Sequence, residues 1–337
     1  MTRQHSIFVS AKSTLAFCTL SIVLNVCIVS IGHSQTEKEK LSVSEQLAIA
    51  AKKATVQKYL LRYKFKEGDV VYWQTEQVDN GEVSLQKKKE LTRSRTLSTK
   101  KWRITGIDKN GNISAVQSLA DVDMWQQIDQ FPPTSYNSRT DSKPPIKFEN
   151  IADTIGIELV NFKFEPNGNL LEKKANYSDV ELGMGRIVVE FPTEAIAVGH
   201  KWYHNRVIKA ALPTGQIKKI RIRRMFQLVD VKHQVAKIGV QTQILTPIHD
   251  PEIEVQIMDQ LTQGFIRFDI QTGRILSREY HWNRTVQGFS TADSLKRYVG
   301  RFKQTPKSKD AVELAAKAAI PDTVNIRLIN DSPILRQ

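Results

Sequence analysis

Apolar and polar side chains alternate with a period of two along most of this 337-residue chain, beginning after residue 58. In the first such stretch Tyr59, Leu61, Tyr63 and Phe65 share one face, and the residues between them are mainly basic. A period of two is typical of a half-buried β-strand. Comparable stretches follow at 70–78, 102–107, 113–119, 161–164, 186–191, 201–209, 217–229, 235–245, 264–270 and 274–282. Because short turn signals separate them, we expect antiparallel strands.

The turns between these strands are rich in glycine and asparagine. Gly68-Asp69, Lys109-Asn110-Gly111-Asn112 and Pro166-Asn167-Gly168 are turn signals. Asp79-Asn80-Gly81 predicts a hairpin, because Asn-Gly suits the positive φ angles of a type I′ turn. The proline-bracketed stretch 130–147 predicts a loop, since proline cannot donate to a central ladder.

Two short helices are predicted to flank the strands. Ser42 with Glu45 forms a capping box for an N-terminal helix, and Asp310 with Glu313 forms one for an Ala-rich helix that ends at Pro321. The predicted fold is mainly β, with long antiparallel strands in one large or two similar curved sheets, half-barrel or sandwich-like. The predicted segments are a signal peptide 1–34, an N-terminal helix 41–58, a first β unit 59–175, a second β unit 176–303 and a tail 304–337 that contains the second helix.

The two predicted β units share an order of motifs. Gly68-Asp69-Val70-Val71-Tyr72-Trp73 corresponds to Gly199-His200-Lys201-Trp202-Tyr203, and each unit ends with an aromatic strand and a glycine, at 162–168 and 266–273. Internal duplication and the ordinary reuse of turns by an antiparallel chain are both compatible with this order. Duplication would give two similar sheet units with a cleft between them, where ligands commonly bind.

The first 34 residues have the order of a secretory signal. Arg3 and Lys12 precede an apolar run at 15–31, and the small residues Ser30 and Gly32 follow. We therefore expect export to the periplasm or the extracellular space after cleavage. A retained N-terminal membrane anchor is the alternative, although the run is slightly short for a bilayer span and contains polar residues.

Charge and cysteine content bound the chemistry of the exported part. The chain has 49 Lys and Arg against 35 Asp and Glu, and only two of the basic residues lie in the predicted signal. An exported basic protein meets anionic polysaccharide, cell-wall polymer or anionic lipid rather than nucleic acid, although excess charge also maintains solubility. Both cysteines, Cys18 and Cys27, lie in the signal, so the mature chain would contain neither a disulfide nor a thiolate ligand.

The stretch 217–229 contains the candidate binding residues. Lys219, Arg221 and Arg223 alternate with isoleucines, which predicts a basic ladder on one face of a strand. The ladder either binds an anion or is solvated and paired with acidic side chains of a neighbouring strand. Arg224 interrupts the basic alternation and marks either a bulge or a side chain that points inward towards a ligand.

The sequence contains no catalytic motif that we recognise. A Gly-x-Ser-x-Gly elbow, a phosphate loop, a His-Glu-x-x-His pair and a dinucleotide fingerprint are all missing from it. His200 and His204 would lie too far apart on a strand to share a metal ion. Asp121 and Asp123 could form the carboxylate pair of a glycosidase, but acidic residues that end a strand are more common. We expect no catalysis, no cofactor and no bound metal.

The chain resembles a group of uncharacterised exported bacterial proteins, which combine a signal peptide with duplicated long β-strands. The residues that support the resemblance are Phe162-Lys163-Phe164-Glu165-Pro166-Asn167-Gly168, Val198-Gly199-His200-Lys201-Trp202 and Phe268-Asp269-Ile270-Gln271-Thr272-Gly273-Arg274-Ile275-Leu276. The resemblance implies a β-rich exported protein. It implies no activity and no site residues.

Three functional hypotheses follow from these features. The first is a non-catalytic envelope or extracellular protein that binds an anionic polymer or surface through Lys219, Arg221, Arg223 and Arg224. The second is a periplasmic carrier that holds a lipid or another apolar ligand in a curved sheet. The third is an enzyme that acts on polysaccharide. The sequence does not specify an oligomeric state.

Overall fold

The computed structural model describes residues 56–175, 188–212 and 215–312. The predicted signal peptide, most of the predicted helix 41–58 and all but the first turn of the C-terminal helix lie outside the described residues. Residues 56 and 57 are not helical, and a strand begins at Lys58, so the predicted N-terminal helix does not reach residue 58.

The described residues form long strands joined by short turns. The strands are β1 (Lys58–Tyr59), β2 (Val70–Leu85), β3 (Lys88–Ile107), β4 (Ile113–Ile128), β5 (Thr134–Asn137), β6 (Glu158–Phe164), β7 (Leu170–Ala175), β8 (Ile196–Ala197), β9 (Lys201–Ala211), β10 (Ile217–Lys232), β11 (Val235–Ile244), β12 (Gln263–Asp269), β13 (Arg274–Gln287) and β14 (Leu295–Lys307). Two short α-helices interrupt them, α1 (Glu149–Ala152) and α2 (Pro251–Ile257). A 3-10 turn precedes α1 at Ile146–Phe148, and another follows α2 at Met258–Gln260.

Twelve of these strands form one antiparallel sheet. The strand order is β7-β6-β4-β3-β2-β14-β13-β12-β11-β10-β9, and β5 pairs with the C-terminal half of β4. Strands β1 and β8 pair with each other in a small separate sheet. The prediction of a mainly β protein with long antiparallel strands is therefore confirmed, and the structure has the single large sheet.

The large sheet joins two consecutive series of strands edge to edge. Strands β2 to β7 lie on one side and β9 to β14 on the other. Between them, β14 pairs with β2 along its whole length, from Leu295 opposite Ser84 to Lys307 opposite Tyr72. The two predicted β units are therefore joined by a continuous ladder of backbone pairing and are not divided by a cleft at this point. The internal duplication stays a prediction.

The sheet curves around the side chain of Tyr63. The ring of Tyr63 lies 5.5 Å from that of Phe164 on β6 and 5.6 Å from that of Phe268 on β12. Five strands lie between β6 and β12, which makes six inter-strand spacings. At about 4.8 Å per spacing, a flat sheet would hold the two strands roughly 29 Å apart. The sheet must therefore bend, and we use "inner face" for the face that holds Tyr63 and "outer face" for the other.

The stretch 60–66 lies across the inner face and does not form the predicted strand of the sheet. Leu61, Tyr63 and Phe65 are buried in the main hydrophobic cluster, as their period of two requires. The backbone N–H of Tyr63 donates to the carbonyl of Pro166, in the turn after β6, at 2.7 Å. The alternation correctly marks one buried face, but the backbone bonds to a turn rather than to a neighbouring strand.

A second apolar cluster covers the inner face near the far end of β9 and β10. Its members come from these two strands and from α2: Ala210, Ile220, Ile222, Ile253 and Ile257. Helix α2 begins after Asp250, whose carboxylate accepts a hydrogen bond from the N–H of Glu252 at 2.9 Å, and Pro251 occupies its first position. The inner face is thus covered near both ends of β10, by Tyr63 and its neighbours at one end and by α2 at the other.

The predicted hairpin at 79–81 is wrong, because this tripeptide lies inside β2. The chain reverses at Gln86 and Lys87, whose φ angles of 50° and 63° are both positive, as a type I′ turn requires. Gly81 instead pairs with Thr92 on one side and Tyr298 on the other. Two continuing ladders outweigh the local preference of Asn-Gly for a turn.

The C-terminal helix begins slightly earlier than predicted. Strand β14 extends to Lys307, beyond the predicted end of the second unit at residue 303. The N–H of Ala311 donates to the hydroxyl of Ser308 at 3.1 Å. Ser308, rather than Asp310, therefore caps the helical turn that starts at Lys309.

The buried hydroxyl of Tyr63 should make the stability of the protein fall at alkaline pH. Burial raises the pKa of Tyr63 to about 12, so between pH 10 and 12 the unfolded chain loses this proton while the folded chain keeps it. We expect the free energy of unfolding to fall by about 1.4 kcal/mol per pH unit in this range through this group. Urea unfolding of the wild type and of Tyr63→Phe at pH 9, 10 and 11 measures the effect. If the free energy of unfolding fell equally with pH in the wild type and in Tyr63→Phe, the prediction would be contradicted.

Candidate ligand-binding surfaces

Strand β10 presents basic side chains on both of its faces. Even-numbered residues up to Leu228 face inward with the buried isoleucines, and odd-numbered residues face outward. The register against β9 is continuous from Ile217 to Gln227, and the shift against β11 comes only after Leu228. Three of the predicted binding residues, Lys219, Arg221 and Arg223, therefore lie on the outer face. The fourth, Arg224, marks no bulge and lies on the inner face.

The outer face of β9 to β12 is strongly basic. Its cationic side chains, which we name the outer basic face, are Lys201, Lys209, Lys219, Arg221, Arg223, Lys237 and Arg267. Among the residues that the structure describes, none of these forms an ion pair with a carboxylate. Asp269 lies at the end of the same face, but its carboxylate accepts hydrogen bonds from the N–H groups of Gln271 and Thr272 in its own turn.

Like charges lie directly opposite each other on this face. Lys209 of β9 pairs with Lys219 of β10, and Lys237 of β11 pairs with Arg267 of β12. Directly opposed like charges destabilise a sheet by a few tenths of a kcal/mol up to about 1 kcal/mol per pair. Lys219 of the ladder thus faces a cation, whereas Arg221 and Arg223 face Val207 and Asn205 of β9. Lys237 also lies opposite Asp230 of β10, whose carboxylate pairs with Lys232 at 2.9 Å.

Large apolar side chains are exposed among these cations. Tyr203, Val207, Ile217 and Phe265 lie on the outer face, and Val207 and Ile217 are 58% and 62% exposed. Two of the cations lie over aromatic rings: the guanidinium carbon of Arg223 is 4.7 Å from the ring centroid of Tyr203, and the ammonium of Lys237 is 4.3 Å from that of Phe265. The surface therefore combines positive charge with exposed apolar area.

The other two basic segments of the sequence differ from this face because they are partly neutralised. Lys89 pairs with Glu82 at 2.7 Å, and Arg95 pairs with Glu76 at 3.0 Å. Arg301, in the third basic segment, lies 3.6 Å from the second carboxylate oxygen of Glu76. Basic composition alone did not distinguish these segments from the outer basic face, since the carboxylates come from other strands.

Arg224 occupies a distinct position on the inner face. Along β10 it lies between Phe226, which belongs to the main apolar cluster, and Ile222, which belongs to the cluster under α2. The guanidinium carbon of Arg224 is 5.8 Å from the ring centroid of Tyr280 on β13. Burial lowers the pKa of Arg224, and the positive charges of Arg206 and Arg278 lower it further. Three arginines from β9, β10 and β13 therefore share one region of the inner face.

Two threonine hydroxyls near Arg224 are buried without hydrogen-bond partners. Thr242 of β11 lies directly opposite Arg224, and its N–H donates to the carbonyl of Thr262 at 2.9 Å. Within the described ranges neither threonine Oγ1 has a hydrogen-bond partner, although both atoms are buried and the Thr242 residue is only 6% exposed. A buried hydroxyl without a partner is uncommon and requires a specific explanation.

The acidic pair considered from the sequence is engaged in local contacts. Asp121 accepts a hydrogen bond from Thr99 at 2.9 Å and pairs with Arg139 at 2.5 Å, and Asp123 lies 3.9 Å from Arg95. His204 contacts the carboxylate of Glu190 at 3.1 Å.

Within the described ranges, no group of three His, Cys, Asp or Glu residues could hold a metal ion. No helix in these ranges has the length and hydropathy needed to span a bilayer.

Comparison with known proteins gives limited similarity. No protein-family model matches the chain, and no curated protein matches it. Lipovitellin, in a structure concerned with lipid–protein interactions, is 10% identical with a TM-score of 0.40, over 73% of this chain and 26% of its own. The chain thus spans about a quarter of lipovitellin.

Two further solved structures are similar to parts of this chain. The translocator domain of the autotransporter NalP from Neisseria meningitidis is 7% identical, with a TM-score of 0.27, over 78% of this chain and 94% of its own. A DUF1329 family protein from Desulfovibrio piger is 11% identical, with a TM-score of 0.11, over 78% of this chain and 89% of its own. At such values these structures support no conclusion about the activity of this chain.

Proposed function

We propose that this protein is an exported, non-catalytic protein that binds an anionic lipid surface through the outer basic face. The observation that carries the proposal is two pairs of directly opposed like charges, Lys209 with Lys219 and Lys237 with Arg267. Placing cations opposite one another costs stability, and an anionic partner would reverse the sign of that cost.

The exposed apolar side chains favour a lipid surface over a soluble polyanion. Val207 and Ile217 lie on the outer face of the two strands at the sheet edge, β9 and β10. Cations attract such a face to anionic head groups, while apolar and aromatic side chains enter the boundary with the acyl chains. A soluble anionic polymer would use the charges and gain little from Val207 or Ile217.

Export also supports this partner. The order of residues 1–34 predicts delivery to a compartment in which membrane surfaces and cell-wall polymers are the principal polyanions. Location and ligand class are independent parts of the proposal. A test with purified protein therefore addresses the ligand class alone.

Vesicle sedimentation with the full chain tests the proposal. We expect binding to phosphatidylcholine vesicles that contain phosphatidylglycerol, no binding to pure phosphatidylcholine, and a steep loss as salt rises. The double substitution Arg221→Glu with Arg223→Glu changes four charges. At about 1 kcal/mol per charge near an anionic surface, we expect affinity to fall on the order of 10²- to 10³-fold.

A matched double substitution controls for net charge. Lys88→Glu with Arg93→Glu makes the same change on β3, at exposed positions outside the outer basic face. We expect this variant to bind nearly as well as the wild type. Equal losses in the two variants would mean that net charge alone acts. Binding to soluble alginate, a linear polycarboxylate, without binding to vesicles would overturn the lipid surface in favour of a polymer.

A further inference from the structure

The inner face contains Arg224, a cationic position without a carboxylate partner among the residues that the structure describes. Arg224 is half-buried, and in the described part of the chain no carboxylate forms an ion pair with it. Its charged neighbours are Arg206 and Arg278, which are also positive. Removing a cation from water is unfavourable unless an anion or hydrogen-bond acceptors approach it. This arrangement therefore favours an anion beside Arg224.

The unpartnered threonines supply additional donors at the same place. Thr242 lies opposite Arg224 in the ladder, and Thr262 is hydrogen-bonded to Thr242 through the backbone. Both buried hydroxyls have a free O–H. An oxyanion accepts several hydrogen bonds, so it can satisfy a guanidinium and neighbouring hydroxyls together. The threonines and the arginine thus point to the same ligand chemistry by independent observations.

An apolar surface continues from this position across the sheet. Gly264 separates Val240 on β11 from Tyr280 on β13, and it presents no side chain to the inner face. A Cβ at this glycine would collide with the carbonyl of Glu279, so no larger residue fits. Beyond it, the Tyr280 ring stacks on Phe302, with centroids 5.9 Å apart. Tyr280 and Phe302 are both half-buried, so a ligand held at Arg224 can lie against these two aromatic rings.

We propose that Arg224, Thr242 and Thr262 bind the carboxylate or phosphate head group of an anionic amphiphile, whose apolar chain lies on Tyr280 and Phe302. The site lies on the face opposite to the outer basic face and does not rest on the proposed function. Residues 221 and 224 are three positions apart on one strand, yet they would serve different ligands because a strand turns successive side chains to opposite faces.

Calorimetric titration of the full chain with four probes tests this site. The probes are dodecanoate, dodecyl phosphate, dodecanol and inorganic phosphate, each below its micellar concentration where it forms micelles. We expect the two anionic amphiphiles to bind at least tenfold more tightly than dodecanol and than inorganic phosphate. Equal binding of dodecanol would overturn the role of Arg224. Equal binding of inorganic phosphate would overturn the amphiphile and leave a site for free anions.

Three variants locate the site. Arg224→Gln should weaken dodecanoate binding by about 10- to 100-fold, the usual effect of removing a charged hydrogen-bond partner. Thr242→Val should weaken it several-fold while raising the melting temperature of the unliganded protein, because an unsatisfied buried hydroxyl is removed. Arg221→Gln, on the outer face of the same strand, should leave it unchanged. Unchanged binding by a folded Arg224→Gln protein, or a loss in Arg221→Gln equal to that in Arg224→Gln, would overturn the proposal.

The two proposals fail separately. The variant Arg221→Glu with Arg223→Glu should lose vesicle binding and keep dodecanoate binding, and Arg224→Gln should do the reverse. Loss of both activities in either variant, with an unchanged circular dichroism spectrum, would show that the two faces act as one site and would overturn the separate inner site.

Discussion

Replacement of Tyr63 by alanine is expected to destabilise the folded protein by about 3–5 kcal/mol, the usual range for removing a buried aromatic ring. The ring contacts Phe164 and Phe268, on strands that lie on opposite sides of the sheet centre, and also Phe191 at 5.4 Å. Its hydroxyl accepts a hydrogen bond from the N–H of Val189 at 3.0 Å. The substitution removes contacts that hold the curved sheet together, so urea unfolding should show a much lower midpoint.

Tyr63→Phe is the graded control for this prediction. It keeps the ring and removes only the hydroxyl, so the expected cost is about 1–3 kcal/mol, the penalty of leaving the buried Val189 N–H unpaired. Alanine should therefore be clearly more destabilising than phenylalanine. Equal midpoints for the two variants would mean that the ring contacts contribute little and that the sheet keeps its curvature without them.

Gly168→Ala is expected to destabilise the protein by about 2–5 kcal/mol, through two separable causes. Gly168 has a φ of +89°, which costs an L-residue about 1–2 kcal/mol. In addition, a Cβ here would collide with the carbonyl of Val189 and lie 2.9 Å from the Tyr63 ring, a contact that costs roughly 1–3 kcal/mol. Thermal and urea unfolding measure the sum of the two terms.

Gly68→Ala separates the conformational cost from the collision. Gly68 has a similar φ, +82°, but a Cβ there meets no atom of the described residues within 4 Å. The Gly68→Ala variant should therefore lose only the stability that the unfavourable φ angle costs, about 1–2 kcal/mol. A loss as large as that of Gly168→Ala would show that backbone conformation alone explains both variants. The difference between the two measures how tightly the turn after β6 packs under Tyr63.

The strands were predictable because burial of one face imposes a period of two on the sequence. The stretch 217–229 illustrates this, since its even-numbered apolar residues Ile220, Ile222, Phe226 and Leu228 are buried as the alternation requires. The pattern also misled: residues 188–191, the described part of the predicted strand 186–191, form no strand. Two further places show why. Residues 60–66 have the same alternation but lie across the sheet, and Asn80-Gly81 has the composition of a turn but continues β2. In both places the partner of the backbone is distant in sequence, and local pattern contains no information about it.

The candidate sites were only partly predictable. Lys219, Arg221 and Arg223 follow from their spacing on one strand. Their partners Lys209, Lys237 and Arg267 do not, because pairing depends on register between strands. Arg278 and Tyr280 lie on β13, three strands from Arg224. The signals available for these residues in the sequence are their own charge or aromatic character, which many other residues share.

The amino-acid sequence by itself determined that this is a basic, mainly β protein with long antiparallel strands, because alternation and turn composition depend on neighbouring residues alone. Tertiary structure alone decided that the strands form one curved sheet, with cations opposed on its outer face and Arg224 half-buried on its inner face. Curvature and cross-strand pairing depend on contacts between residues far apart in the chain, such as that of Tyr63 with Phe164 and Phe268. Such contacts leave no periodic trace in the sequence.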